Sequence, residues 1–426
     1  MTALPRTLTV PLITSLLLSL CIPAAGQDNE LCLECHGEED ITGILDGKER
    51  SMFIDQKTFS ESVHADMPCT GCHIDLEDVD DYPHNEQLQK AFCGNCHDQE
   101  TEQFAASIHG DYLPAGVSRH KIRCSDCHGT HDIYSSQDRR AKSFHCNIPK
   151  TCSQCHSSIG GTEWQDARLR KAYDYYAKSI HGKAVLQWEL TLAATCVDCH
   201  GFHDIRPYAD PKSHVNRRSI VETCGRCHVG AVQRYNQGIH GKAFAEGIQE
   251  SAVCTDCHTE HGVRSPLDRG SHVYVTSIVS TCSRCHADKE IVAKYGISVE
   301  TVSTYQHSYH GIGQKYGSMV IANCVSCHKY HDIKPAGDPS SSINPDNLRE
   351  TCGQPRCHVG ATKEFVRGKT HSPVTSGQRR VVNVVRVAYI FLIALSLSGM
   401  FLHNVLDLRS RFRRSGKAES EPEGES

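Results

Sequence analysis

The chain is short of aromatic side chains and of methionine. Phe, Trp and Tyr make up 7% of its 426 residues, only two of them Trp, and there are five Met. Apolar residues of all kinds reach 38%. A chain this long could fill two or three ordinary domains. So few large apolar side chains are thin material for conventional cores, so another source of buried apolar surface is expected. Basic charge is not in excess either: 45 Lys and Arg stand against 50 Asp and Glu, for a net charge of −5. That balance argues against nucleic-acid binding, which relies on a basic surface.

Long apolar runs are scarce, and only two stand out. Leu8 to Ala25 follows the single basic residue Arg6 and closes on Ala24-Ala25-Gly26. This pattern predicts a cleaved signal peptide over 1–26, with a retained N-terminal anchor as the alternative. Cys21 does not fit a lipoprotein site, because Leu20 precedes it where a small residue is required. Val387 to Leu406 is uncharged and long enough to cross a bilayer once. Arg379, Arg380 and Arg386 precede it, while Arg409, Arg411, Arg413, Arg414 and Lys417 follow. That bias places the C-terminal end inside. The expected organisation is a signal peptide at 1–26, one periplasmic domain at 27–380, a transmembrane helix at 381–407 and a cytoplasmic tail at 408–426. The last residues, with Glu419, Glu421, Glu423 and Glu425, are expected to form a disordered tail.

What the chain has in abundance is cysteine and histidine, 24 and 28 of them. Ten segments read C-x-x-C-H: Cys32/Cys35/His36, Cys69/Cys72/His73, Cys93/Cys96/His97, Cys124/Cys127/His128, Cys152/Cys155/His156, Cys196/Cys199/His200, Cys224/Cys227/His228, Cys254/Cys257/His258, Cys282/Cys285/His286 and Cys324/Cys327/His328. An eleventh, Cys352/Cys357/His358, has four residues between the cysteines. At this composition, random placement yields about 0.09 copies of the ten-fold motif. A structural zinc site needs four ligands and gives no reason for a His after every cysteine pair. Disulfides do not impose that His either. Covalent haem attachment does: two close thiols bond the two vinyl groups of one haem, and the adjoining His becomes an axial iron ligand. The longer spacer loops out between the same attachment points. Eleven covalent haems c are therefore expected. Cys146 is left over, as a free buried thiol or a functional one.

The motifs recur with a period. After the first, they form five two-motif units. In four of these, 24 positions separate the first motif's His from the next Cys (His128 to Cys152, His200 to Cys224, His258 to Cys282, His328 to Cys352). One class of further histidines lies upstream of each unit or after the last: His64, His109, His181, His240, His310 and His371. An aromatic residue stands five positions before five of them (Phe59, Phe104, Tyr176, Tyr235, Tyr305), a little over one helical turn. It packs either on a haem or in ordinary core. A second class follows the first motif by three residues: His131, His203, His261 and His331. With His84 these supply eleven candidate distal ligands. Histidine is the obvious distal donor where methionine is so scarce. His120, His145, His214, His272, His307 and His403 remain; His145, His214 and His272 occupy comparable places before a second motif and compete for the distal role. The last upstream histidine, His371, has no motif after it and should reach back to an earlier haem. His403 lies within the apolar span, where a histidine is a functional candidate by default.

These motifs, with C-x-x-C-H-x-x-H and the Ser-x-His-Gly pattern around His109, His181 and His310 (Gly-x-His-Gly at His240), resemble the doubled-C-x-x-C-H multihaem cytochromes, the broad group around cytochrome c3. The resemblance covers about Cys32 to His371; His64 and His371 lack the Gly. It implies low-potential bis-histidine haems and electron transfer. The expected fold is mainly α with much irregular structure, a repeat-built multihaem cytochrome wrapped around a haem stack, plus one transmembrane helix. The expected location is the inner membrane, by a single C-terminal span, with the bulk of the chain in the periplasm. The C-terminal segment looks like the anchors of periplasmic subunits that dock on quinone-linked complexes. The expected role is to link a membrane quinone-linked or b-type cytochrome subunit to soluble periplasmic cytochromes in anaerobic respiration, with no nucleic acid partner and no catalytic residue of its own. A reductase of a small nitrogen or sulfur oxyanion is the alternative, and it needs a haem with an open distal position.

Overall fold

A computed structural model describes residues 29–418, apart from 46, 78, 80–82, 86–87, 111–121, 158–170, 368–370 and 372–375. The expected signal peptide, His120 and the acidic end of the tail lie outside the described residues. The described chain is mainly helical. Its sheet is one hairpin, Thr42–Leu45 against Lys48–Ser51, antiparallel, with Leu45 opposite Lys48 across a turn where Gly47 takes φ 74°.

The helices are short, and their caps explain where they start. Cys124–His128, Cys196–His200, Cys254–His258 and Cys324–His328 each have five residues. Helices this short do not persist alone. Each is held by the residue between its cysteines. The side chains of Asp126, Asp198, Asp256 and Ser326 accept from the backbone N–H just before the first Cys, at 2.8, 2.7, 2.7 and 3.1 Å. This is half of a capping box. The residue after each motif His then turns out of the helix at positive φ: Gly129, Gly201, Thr259 and Lys329.

The chain divides into two compact units. One comprises residues up to 232 together with 253–271; the other comprises 233–252 with 272 onward. Few apolar side chains are buried in either. In the first unit they include Val185, Ile220 and Val253, and in the second Ile278, Val292 and Tyr305.

One backbone hydrogen bond recurs. The N–H just before an upstream histidine donates to the carbonyl two residues past a second-class histidine. In the first unit these are Val63 to Ile133 (2.9 Å), Ile108 to Ile205 (2.8 Å) and Ile180 to Val263 (2.8 Å); in the second, Ile239 to Ile333 (2.7 Å).

The longest element is the helix Ser376–Ala418, 43 residues. At 1.5 Å per residue it runs about 65 Å. Its segment from Arg380 to Phe412 is apolar and long enough to cross a membrane, and it is not buried against the rest of the chain. The helix continues past 407, where the tail was expected to begin. No helix-breaking Pro or Gly intervenes before Gly416, so the backbone ladder continues.

Candidate functional site: histidines in facing pairs

The histidines come together two at a time, one from a motif and one from outside. In the first unit the pairs are His36–His84, His64–His97, His73–His131, His109–His156, His128–His203, His181–His228 and His200–His261. Their ring centroids are 6.0, 6.1, 6.3, 6.2, 6.0, 6.0 and 5.8 Å apart. In the second unit the pairs are His240–His286, His310–His358 and His328–His371, at 6.1, 6.1 and 6.0 Å. His258 ends the helix Cys254–His258 in the first unit. His331 lies in the second, at φ 44°.

That spacing is too wide for ring stacking contact and too regular for chance. A metal–imidazole nitrogen bond is about 2 Å long, and the ring centre lies ~1.1 Å beyond the nitrogen, so two rings on opposite sides of one metal ion sit about 6 Å apart. Among the described residues no three or more His, Cys, Asp or Glu converge as a metal site built from protein alone. Two axial donors facing across a gap, with two thiols beside one of them, fit a planar macrocycle that brings its own four equatorial donors.

The pairing follows a rule. An upstream histidine pairs with the second motif of its own unit: His64 with His97, His109 with His156, His181 with His228, His240 with His286, His310 with His358. A second-class histidine pairs with the first motif of the preceding unit: His131 with His73, His203 with His128, His261 with His200. His371 takes His328 in the same manner, and His84 takes His36.

Local chemistry prepares these rings. His36 Nδ1 lies 2.9 Å from the Met52 carbonyl, His84 Nδ1 2.9 Å from that of Asn85, and His371 Nδ1 2.9 Å from that of Thr301. A proton held on Nδ1 leaves Nε2 as the donor atom. Burial, with a further push from His156, lowers His109 to about 4, and burial with His261 does the same to His200. Both rings are therefore neutral at ordinary pH and open to a metal.

Among the described residues the motif cysteines and Cys146 are thiols, none of them joined in a disulfide. Neighbouring motifs meet through their first cysteines: Cys32 with Cys69, Cys93 with Cys124, Cys152 with Cys196, Cys224 with Cys254, and Cys282 with Cys324. Burial pushes Cys127, Cys199 and Cys327 up to about 11, helped by the thiols of adjacent motifs.

Among the described residues the protein encloses none of the second motif cysteines. Cys35, Cys72, Cys96, Cys127, Cys227 and Cys357 are exposed, and Cys155, Cys199, Cys257, Cys285 and Cys327 are half-buried. Three of them lie near another second cysteine of the same two-motif unit: Cys96 beside Cys72, Cys227 beside Cys199, and Cys357 beside Cys327. Cys257 acts on Cys254 of its own motif. Cys285 closes the last turn of the helix Ile278–His286, where its carbonyl accepts from Ala287 N–H.

The expanded motif keeps the ordinary geometry at its ends. His358 N–H donates to the Cys352 carbonyl at 2.9 Å, just as His97 does to Cys93 and His228 to Cys224 at 2.9 Å. Within the longer spacer, Cys357 N–H donates to the Gln354 carbonyl at 2.8 Å, which closes the extra loop on itself.

Ser-x-His-Gly has a local cause. Ser179 and Ser308 cap the helices Ile180–Trp188 and Tyr309–Lys315 by accepting from Gly182 and Gly311 N–H. The aromatic residue is on a separate, preceding helix, Ala172–Lys178 or Thr301–Gln306, not on one continuous helix with the histidine as its spacing implied. The chain doubles back at the serine, so that the aromatic's carbonyl presses on the glycine. A Cβ on Gly110, Gly182, Gly241 or Gly311 would sit 2.3, 1.9, 2.2 or 2.1 Å from the carbonyl oxygen of Phe104, Tyr176, Tyr235 or Tyr305.

The same tyrosines carry a contact that sequence reasoning missed. Tyr176, Tyr235 and Tyr305 hydroxyls donate to the carbonyls of Ala194, Ala252 and Ala322 at 2.9, 2.9 and 2.8 Å. Each acceptor stands two residues before the first Cys of the next motif. Before Cys69 the same place, Met67, accepts from Asn29 Nδ2 at 3.0 Å, and Asn29 Oδ1 accepts from Cys69 N–H at 2.8 Å. The repeated Tyr-to-Ala spacing was the available signal. Burial holds the Tyr176 and Tyr305 hydroxyls protonated.

The surplus histidines take other roles. His145 Nε2 is engaged by the Ala193 carbonyl at 2.9 Å, and His307 Nδ1 lies 2.7 Å from the Ser303 carbonyl on an exposed helix end. His145 is not equivalent to His214 and His272. In the last four units the residue before the second motif is a threonine (Thr151, Thr223, Thr281, Thr351) whose hydroxyl reaches back to Lys142, His214, His272 or Ser342, so Lys142 holds the equivalent place. His403 is exposed on the long helix. No family model, curated protein or solved structure matches the chain.

Proposed function

We propose that this chain is a membrane-anchored multihaem c-type cytochrome of the periplasm, carrying eleven mostly bis-histidine haems and passing electrons. The observation that carries the reading is the set of facing histidine pairs about 6 Å apart, each with a motif histidine on one side and a non-motif histidine on the other. The scarcity of buried apolar side chains supports it, because haem faces would complete the core. So does the recurrence of the Val63–Ile133 type of bond, which fits repeats wound around a continuous stack.

The haems, when bound, supply one-electron redox chemistry at iron. The chain's residues do the rest. Paired cysteines fix each macrocycle, and the adjoining histidine is held on one face by its own motif helix. In this reading Cys35, Cys96, Cys227, Cys257, Cys285 and Cys357 are the outer attachment points, and their accessibility suits thiols that must be reached for haem attachment. The second histidine arrives from another helix or loop and closes the opposite face. Closure on both faces leaves no open position for substrate at the paired sites, which favours a conduit over a reductase. The single apolar helix would hold the chain at the inner membrane. There it would exchange electrons with a quinone-linked or b-type cytochrome subunit and with soluble periplasmic cytochromes. Without residues 1–26 the protein part is near −6, and haem propionates add negative charge. Basic docking faces on soluble partners follow.

The test is a haem count on the purified full-length protein with EPR on the same sample. Eleven haems per chain and almost wholly low-spin ferric signals are expected. A count of five or six, or a large high-spin signal that shifts on adding nitrite, hydroxylamine or tetrathionate, would overturn the reading.

A further inference from the structure

The paired sites are not equivalent in what surrounds the rings. At the N-terminal pair both histidines are bound at Nδ1: His36 to the Met52 carbonyl and His84 to the Asn85 carbonyl, each at 2.9 Å. The two rings face each other with an interplanar angle of 9°. A ring that donates its Nδ1 proton to a carbonyl gains anionic character and becomes the stronger donor at Nε2. Stronger donation from both sides favours ferric over ferrous iron.

Charge acts in the same direction. Glu30, Glu34, Glu38, Glu39 and Asp40 surround this motif in sequence, all exposed, with no Lys or Arg among them. Lys48 and Arg50 stand on the hairpin that follows and offset part of this field. Net negative charge near a site stabilises the form that carries the extra positive charge, again the ferric one.

The adjacent pair differs. His73 interacts electrostatically with both His36 and His84, and His131 with His36, so the two sites are neighbours. Yet His73 Nδ1 is buried with no hydrogen-bond partner among the described residues. Its imidazole lacks the carbonyl that strengthens His36 and His84.

We propose that the site framed by His36 and His84 is the electron-rich end of the chain: the last site to accept an electron, the first to give one up, and matched to the most strongly reducing partner. Its neighbour framed by His73 and His131 takes electrons at a less negative potential. A downhill step therefore leads inward from the N-terminal end. This inference rests on the haem reading above.

The test is an EPR-monitored potentiometric titration of the full-length, haem-loaded protein, with a haem count on each sample. In wild type the last ferric signal to disappear on reduction should be the rhombic type given by near-parallel ligand planes. In His84→Met the most negative component should be lost from its place and reappear at higher potential. His131→Met should leave that component where it is. Neutralising Glu38, Glu39 and Asp40 as Glu38→Gln, Glu39→Gln and Asp40→Asn alters only exposed side chains. It should raise the most negative component and leave the rest unmoved. If that component survives in place in His84→Met, or the surface variant does not move it, the inference is overturned while a count of eleven leaves the haem reading standing. A count of five or six would overturn the haem reading itself.

Discussion

Removing one oxygen atom from Tyr305 tests whether the tyrosine links hold the helices where they are. Its hydroxyl donates to the Ala322 carbonyl at 2.8 Å, and the residue is 5% exposed. Its ring lies 6.1 Å from that of His371, at 29°. Tyr305→Phe keeps the ring and its packing, so no cavity of consequence opens. What changes is a carbonyl left without its donor beside the motif Cys324–His328. An unpaired buried polar group costs about 1–3 kcal/mol. For a unit of 150–250 residues, each kcal/mol shifts Tm by about 2–4 °C, so a fall of roughly 2–12 °C is expected. Tyr316→Phe is the control, because Tyr316 is 81% exposed and should change little. The assay is thermal unfolding of the haem-loaded protein, followed by far-UV and Soret circular dichroism. Equal Tm values for the two variants would refute the reasoning. Phe59→Tyr supplies the converse: Met67 already accepts from Asn29, so the new hydroxyl should add no stability.

Four further outcomes are expected. Gly182→Ala drives a Cβ into the Tyr176 carbonyl, 1.9 Å away, and should cost about 1–3 kcal/mol while disturbing the His181–His228 pair, seen as a changed low-spin EPR component. Thr259→Gly and Lys329→Gly relieve positive φ values of 66° and 60° and should each stabilise by roughly 0.5–1 kcal/mol in denaturant titrations. On the proposed reading, His371→Ala removes the ring facing His328: the haem count should stay at eleven while one high-spin ferric signal appears, and His307→Ala should produce none. Glu250 is held down to about 2 by Lys294, with Tyr295 assisting. Its folded value lies below the unfolded one, so its contribution is complete above about pH 4.5 and is lost as pH falls toward 2. Glu250→Gln should flatten the stability profile in that window.

How much was legible in the sequence depended on how far apart the chemistry lies along the chain. Each cysteine pair and its histidine sit within five to seven consecutive residues, so spacing alone singles them out. That the first thiols would meet between motifs while Cys35, Cys96, Cys227 and Cys357 stay at the surface was not legible, because spacing is blind to how one turn docks on the next. The second histidines were legible as classes, because Ser-x-His-Gly and C-x-x-C-H-x-x-H recur. Which histidine faces which was not. His131 sits three residues after His128 in sequence yet faces His73, and His128 in turn faces His203. Only the packing of one unit's loop against another's helix makes that choice.

The apolar run from Val387 to Leu406 was equally plain, since twenty uncharged residues are a local property. Where the helix carrying it stops was not, because continuation depends on the backbone ladder more than on hydropathy. The glycine after an upstream histidine was visible as a pattern, but its reason, the carbonyl of an aromatic residue on the preceding helix, exists only in three dimensions. The same holds for the tyrosine hydroxyls, for Asn29, and for the carbonyls of Met52 and Thr301 that orient histidines. Backbone acceptors carry no residue identity, so no sequence pattern can announce them. Sequence by itself determined which residues form the cysteine–histidine motifs and the apolar run; tertiary structure decided which histidines face each other, because pairing is a matter of distance through space and not along the chain.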